Sequence, residues 1–300
     1  MELSTNYTLE ARNCLPNRRH RYSQAPPIPN PNVVAGVRFD WADHSAWEPA
    51  LKLAGDVRAI YLVMPGSVAV LEPGPTAAAF VDLARTKFGV KRFVLQSSTA
   101  IEEDGPAMGK VHTLLKERGD RGEIGWAVLR PSWFQADMHL SVSSRAENFA
   151  TQENHLKSIR AENKIYSATG PGRIPFVSAH DIAAVAVAAL TAPDPPNREY
   201  FVAGPEMLSY PDVAAGLSRV LGRRIAHVDL TEAELAQRYH ESYGIPEQYA
   251  NILAGMDTGI RNGAEEHNSL GGGVLEVTGC PPRGFADFVE ENMDLWAEAN

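Results

Sequence analysis

Three short stretches carry the side chains with chemistry to offer. RFVLQ at Arg92–Gln96 runs into Ser97 and Ser98, two hydroxyls able to hold a polar ligand or to cap a helix. His112 follows on the next helical stretch; by type it is a general acid or base, or a satisfied core imidazole. WAVL at Trp126–Leu129 runs into Arg130, Pro131, Ser132, Trp133 and Phe134. There Pro131 fixes the loop, and the two rings either wall an aromatic pocket or pack into the core. Further on, Tyr166–Phe176 (YSATGPGRIPF) is a Gly- and Pro-rich turn between short strands. It is suited to closing over a ligand or to making a hairpin.

Several familiar constellations are missing. None of the nine tyrosines has a lysine four residues on, which argues against ketone reduction by a Tyr acid. No Gly-x-Ser-x-Gly elbow is present, so a hydrolase of that kind is excluded. No His-x-x-x-His or Cys-x-x-Cys pair exists, and no metal site is expected. The first glycine is Gly36, so no Gly-x-Gly-x-x-Gly opens the chain, and the motifs alone do not define a nucleotide binder.

The elements that position these residues follow from periodicity. Ala59–Met64, Arg92–Gln96 and Trp126–Leu129 are short continuous apolar runs, the pattern of strands buried on both faces. Val33–Phe39 is a further strand. Helical spacing marks His44–Leu53, Thr76–Phe88 and Met108–Arg118 between them. Strands alternating with helices predict βαβ units and a doubly wound, mostly parallel α/β sheet. Ligands of such sheets lie beyond the carboxyl ends of the strands. The loops of interest are therefore Met64–Gly66, Ser97–Ile101 and Arg130–Phe134, which include Met64, Pro65 and Pro131.

The second half predicts a smaller α+β cap. Its helices are Asp181–Leu190, Tyr210–Leu221 closed by Gly222, Thr231–Tyr239 with a Thr231/Glu234 capping box, and Phe285–Ala299. Its strands are Glu199–Val202 and Ile225–Val228. Residues 1–32 hold five of the 21 prolines and none of the 24 glycines, and are expected to be irregular. The division is 1–32, then a sheet domain over 33–150, then the cap over 151–300.

Composition bounds the setting. The 300 residues carry 28 Lys and Arg against 37 Asp and Glu, for a formal charge of −9, which disfavours a nucleic-acid coat. The acidity is local: Val228–Asn300 holds 14 acidic residues against three Lys and Arg, so the sheet half does not oppose an anionic dinucleotide. Two cysteines cannot build a disulfide framework, which suggests a reducing compartment. No apolar run reaches the ~18 residues of a membrane span, and the polar, Pro-punctuated start has no secretory leader pattern. The expectation is a cytoplasmic protein acting away from membranes.

LRPSWF, KIYSATGPGRIPFVSAHDIA and EYFVAGPEMLSY resemble the NmrA-like branch of atypical short-chain dehydrogenases. Within that branch the chain is similar to the fungal clavine dehydrogenases of ergot alkaloid biosynthesis, the festuclavine and agroclavine type. The similarity runs from about Val33 to the C-terminus, through FDW at Phe39–Trp41, RFVLQSS and MGKVH at Met108–His112. It implies a Rossmann-like fold and NADP(H), with NAD as an alternative. It implies reduction of the cyclic iminium formed when a tricyclic indole aldehyde closes, with glutathione assisting closure in the agroclavine branch. No oxyanion forms in that reaction, so the missing Tyr/Lys pair is expected. For such a reaction the strand-end loop and the helix after it offer Ser97 and His112 as the expected catalytic residues. Met64, Pro65, Ser97, Ser98, Arg21, Arg130 and Pro131 hold the cofactor. Trp133, Phe134 and Tyr166 hold the alkaloid, with the two rings of Trp133 and Phe134 worth ~1–2 kcal/mol to a desolvated cation. Two other readings stay open: an NmrA-like reductase of a different secondary metabolite, and a non-catalytic dinucleotide-sensing regulator.

The chain departs from the family in two places. The family opens on a strand and a Gly-rich phosphate loop; residues 1–32 stand in their place, with Arg21 (or Arg19) offered to a 2′-phosphate. Gln135–Arg145 is extra before Glu147-Asn148-Phe149. The expected consequence is an open sheet edge and weak NADP(H) binding.

Overall fold

A computed structural model describes residues 39–64, 73–135, 154–267 and 272–296. The expected strand at Val33–Phe39 lies outside these except for Phe39, as do Arg21, Pro65 and all but the first residue of Gln135–Arg145.

The principal sheet has four parallel strands in the order β1 (Ala59–Val63), β2 (Arg92–Gln96), β3 (Gly125–Pro131) and β5 (Arg198–Val202). Helices α1 (Trp47–Ala54), α2 (Gly74–Phe88) and α3 (Met108–Asp120) cover one face. Phe93, Leu95, Trp126 and Val128 point into that layer, among Trp47, Phe80, Val81, Val111 and Leu115. Alternate residues Val94, Ala127 and Leu129 point the other way, against Ile182, Val185 and Ala189 of α5 (Ala179–Thr191). Two apolar layers therefore explain why β2 and β3 are continuous hydrophobic runs.

β1 departs from the expectation of burial on both faces. Only Leu62 is buried, and Val63 is 50% exposed, because β1 lies at the edge of the described sheet. The indole N–H of Trp41 donates to the Val63 carbonyl at 3.0 Å and occupies one edge acceptor.

The second correction concerns the domain boundary. α5 and β5 fall in the segment expected to be cap, yet β5 pairs with β3 in the principal sheet. Without α5 the face bearing Val94, Ala127 and Leu129 would be bare to water.

The smaller unit pairs β4 (Lys164–Ser167) with β6 (Ala226–Asp229) in parallel. α4 (Asn154–Glu162) and α6 (Tyr210–Leu221) pack on it, and α7 (Glu232–Tyr243) lies against α8 (Glu247–Arg261). Ser209 and Thr231 make the capping boxes that start α6 and α7, and Gly222 ends α6 in the left-handed conformation. α8 escapes sequence reading: Gly255 and Gly259 interrupt it, and Leu253 and Ala254 hold it through packing on Leu235 and Tyr239. α9 (Gly272–Thr278) follows, and α10 (Phe285–Glu291) ends sooner than expected, giving way to a 3₁₀ turn at Met293–Trp296. Among the described residues no helix is long and apolar enough to cross a membrane.

Candidate active site at the strand carboxyl ends

Beyond β2 and β3 the sheet ladder continues into the loops. The Ser97 amide donates to Leu129 O at 2.7 Å, Thr99 N–H to Pro131 O at 3.0 Å, and Ser132 N–H to Val202 O at 3.0 Å. The loops after β2, β3 and β5 are thus held side by side where ligands of such sheets lie. Ser97 is buried, and among the described residues its Oγ has no hydrogen-bond partner. A buried hydroxyl left open at a strand end suits a polar ligand group. Ser98 caps a local turn through Ala100 N–H at 3.2 Å rather than a helix, since α3 starts only at Met108.

Arg130 is 2% exposed and braces this edge. Its guanidinium donates to Glu102 at 2.6 Å, Glu199 at 3.0 Å, Thr99 O at 3.0 Å and Ser98 O at 3.4 Å, and it stacks over Phe201 at 4.5 Å. The Arg130 hydrogen bond holds the Glu102 carboxyl below its usual range. With its donors committed inside the protein, Arg130 shapes the loop at Ser97–Glu102 and has little left for a phosphate. This differs from its expected place among the cofactor ligands.

A residue that sequence reading passed over completes the edge. Glu265, in the turn after α8, is 3% exposed; it accepts the Thr99 hydroxyl at 2.9 and 3.2 Å and the Ser132 hydroxyl at 3.2 Å. Nothing in GAEEH at Gly263–His267 distinguishes it, because its partners lie 166 and 133 residues away.

Trp133 and Phe134 are both half-buried. Trp133 packs on the cap core with Phe176 and Tyr210, and Phe134 on the α5 side with Val177. Their backbones pair with the end of the YSATGPGRIPF segment: Val177 N–H donates to Trp133 O, and Gln135 N–H to Val177 O, both at 2.9 Å. Ile174 bridges Leu208 instead, so the segment is a connector between two pairings and not a hairpin. Gly170, at φ +53°, and Gly172 let the connector lie on the end of α8; a Cβ on Gly172 would stand 2.3 Å from Ile260 O.

The remaining expected residues do not gather here. Tyr166 lies on β4, its hydroxyl on Glu162 at 2.6 Å and its ring under Arg238 at 3.7 Å. His112 is 2% exposed beneath α3, with its ring 5.7 Å from that of Trp126 and Nδ1 unpartnered. Burial lowers its pKa, so it is a neutral imidazole packed in the core layer. The Met64 side chain also belongs to that core, which leaves only its backbone to a ligand. No group of three or more His, Cys, Asp or Glu stands ready to hold a metal among the described residues.

Titratable groups gather under the connector. Asp257 accepts the Ala168 amide at 2.8 Å, and burial raises its pKa to about 7. His155 bonds the Tyr210 hydroxyl at 3.2 Å, and burial lowers it to about 4.

The architecture, with its loops gathered at the strand carboxyl ends, is a Rossmann-like α/β fold. No family model matches the chain. It is 42% identical over 270 residues to an agroclavine dehydrogenase of Claviceps fusiformis, covering 89% of this chain and 87% of that one. It is 40% identical over 265 residues to festuclavine synthase II of Penicillium roqueforti, covering 87% and 85%. The structure is similar to triphenylmethane reductase of Citrobacter complexed with NADP(H), at a TM-score of 0.65 and 18% identity over 85% of this chain and 82% of that one. It is also similar to an NADPH-complexed quinone oxidoreductase of Escherichia coli, at a TM-score of 0.64 and 22% identity with the same coverage. At such identities these two speak for the fold alone. The chain belongs to the clavine dehydrogenase family of NmrA-like, atypical short-chain oxidoreductases.

Proposed function

We propose that this chain reduces the cyclic iminium of a clavine-type alkaloid intermediate with NADP(H). The observation that carries the reading is the 42% identity to agroclavine dehydrogenase over 89% of the chain. The chemistry agrees with the residues present. Hydride addition to a C=N⁺ carbon yields a neutral amine, so no proton donor is needed, and the sequence has no Tyr-x-x-x-Lys pair. Glutathione, in this reading, assists ring closure in solution ahead of the reduction.

The fit of a dinucleotide is uneven. For the nicotinamide end, the unpartnered Ser97 Oγ offers a buried hydroxyl, flanked by Ser98, Pro131 and the Met64 backbone. For the pyrophosphate end, no Gly-x-Gly-x-x-Gly turn exists in the sequence. When bound, NADPH supplies the hydride. The chain's own residues orient and shield: Arg130 fixes the loop that carries Ser97, and the half-buried Trp133 and Phe134 are the aromatic residues offered to the flat cation. His112 and Tyr166 have packing roles.

The test is incubation of the full chain with the tricyclic aldehyde, glutathione and NADPH. Loss of nicotinamide absorbance with appearance of a product heavier than the iminium by one hydride is expected. No product with this substrate, alongside turnover of an unrelated acceptor, would overturn the alkaloid reading. NADPH titration by nicotinamide fluorescence should give a Kd above the micromolar range; tighter binding would show that other groups hold the pyrophosphate.

A further inference from the structure

Glu265 is the longest-range polar link at the carboxyl edge. It comes from the turn after α8, yet both its oxygens serve the loops that follow β2 and β3. All three partners are shielded: Thr99 is 7%, Ser132 3% and Glu265 3% exposed, so water does not compete for these bonds. The loops carry different halves of the proposed site. Thr99 follows Ser97 and Ser98 on the cofactor side; Ser132 precedes Trp133 and Phe134 on the substrate side. One carboxylate therefore fixes the spacing between the two halves. The other ties near this point run from the loop after β2 to β3 itself, Thr99 N–H to Pro131 O at 3.0 Å and the Arg130 guanidinium to Ser98 O and Thr99 O, and none of them engages the Ser132 side chain.

We propose that Glu265 is a positioning residue, which sets the separation of nicotinamide and substrate by accepting the Thr99 and Ser132 hydroxyls together. The inference rests on the reductase reading for its kinetic consequence and not for its structural one. Hydride transfer is steep in distance and orientation, so a small widening costs rate before it costs binding.

Two neutral variants of similar length separate hydrogen bonding from charge. Glu265→Gln keeps one carbonyl acceptor; Glu265→Met keeps none. Hydrogen–deuterium exchange on the full chain needs no turnover. In Glu265→Met, the amides of 97–102 and 132–135 are expected to exchange at least ten times faster, together, while β2 and β3 stay protected. Glu265→Gln, which keeps one acceptor, should lie within about fivefold of the parent. In turnover, with the clavine substrate or any other hydride acceptor the parent reduces, Glu265→Met should lose at least tenfold in kcat with the KM for NADPH within twofold. Its primary deuterium isotope effect should rise, and Glu265→Gln should restore most of the rate. Exchange that is unchanged, confined to one loop or spread through the strands would overturn the proposal. So would a kcat loss equal in Met and Gln variants. If the parent fails with the clavine substrate alone, the substrate reading falls while the exchange result still decides the role of Glu265.

Discussion

Two buried charges each clamp a loop in this molecule, and they are built in opposite ways. Arg130 grips the loop after β2 with two carboxylates and two carbonyls around it. Asp257 grips the connector after β4 through one backbone amide, while Arg261 takes the Ala168 carbonyl at 2.6 Å beside it. The fully compensated charge stays ionised whatever the pH. The sparsely compensated carboxylate has its pKa raised by burial to about 7 and titrates in the physiological range. The Arg130 clamp thus keeps its charge, and the Asp257 clamp does not.

The largest effect should come from Arg130→Met. Glu102 and Glu199 are exposed enough to turn to water, but the Thr99 carbonyl would lose its donor in a buried place. A loss of about 2–4 kcal/mol is expected in denaturant unfolding. A smaller loss would mean that the loop holds itself without the clamp.

Next comes Asp257→Asn. A carboxyl whose folded pKa is raised stabilises the fold below its unfolded value near 3.8, and that stability is lost as pH rises through about 7. His155 has the opposite sign: its pKa is lowered from 6.5 to about 4, so its contribution is present above 6.5 and lost as pH falls through 4. The two slopes oppose each other between pH 4 and 6.5. In Asp257→Asn the opposing Asp257 slope is gone, and stability should rise more steeply with pH across that window than in the parent. His155→Phe should fall across it instead. Parallel pH curves for the two variants would erase the contrast between the clamps.

A smaller effect belongs to the substrate wall. Trp133→Ala should raise the KM for the cationic substrate about tenfold, as removal of a desolvated cation–π contact of ~1–2 kcal/mol predicts, and leave NADPH affinity unchanged. The smallest should be His112→Leu, a buried neutral ring replaced by an apolar one. It should change kcat by less than about twofold, and a large loss would return His112 to the reacting groups.

Much of the frame was legible. β2 and the start of α3 matched their predicted bounds because a short apolar run closed by polar residues has few other ways to fold. The caps Thr231 and Gly222 were readable because they act within a few residues. α8 was not, since its glycines argue against a helix that only packing on α7 sustains. Of the proposed site, the rule about strand ends pointed to Ser97, Pro131, Trp133 and Phe134, which the structure places at the end of β3 and in the loops after β2 and β3. Tyr166 and His112 were misplaced because residue type says nothing about which neighbours consume a side chain.

The sequence by itself determined the alternation of strands and helices, the loops that would face a ligand and the resemblance to the clavine dehydrogenases. Those properties depend on local spacing or on matched motifs. Tertiary structure decided the rest: that β5 returns to the principal sheet, that Arg130 spends its donors on its own loop, and that Glu265 joins Thr99 and Ser132. Contacts between groups from about thirty to well over a hundred residues apart leave no periodic trace in a chain. They exist only once the packed layers have brought the loops within hydrogen-bonding distance.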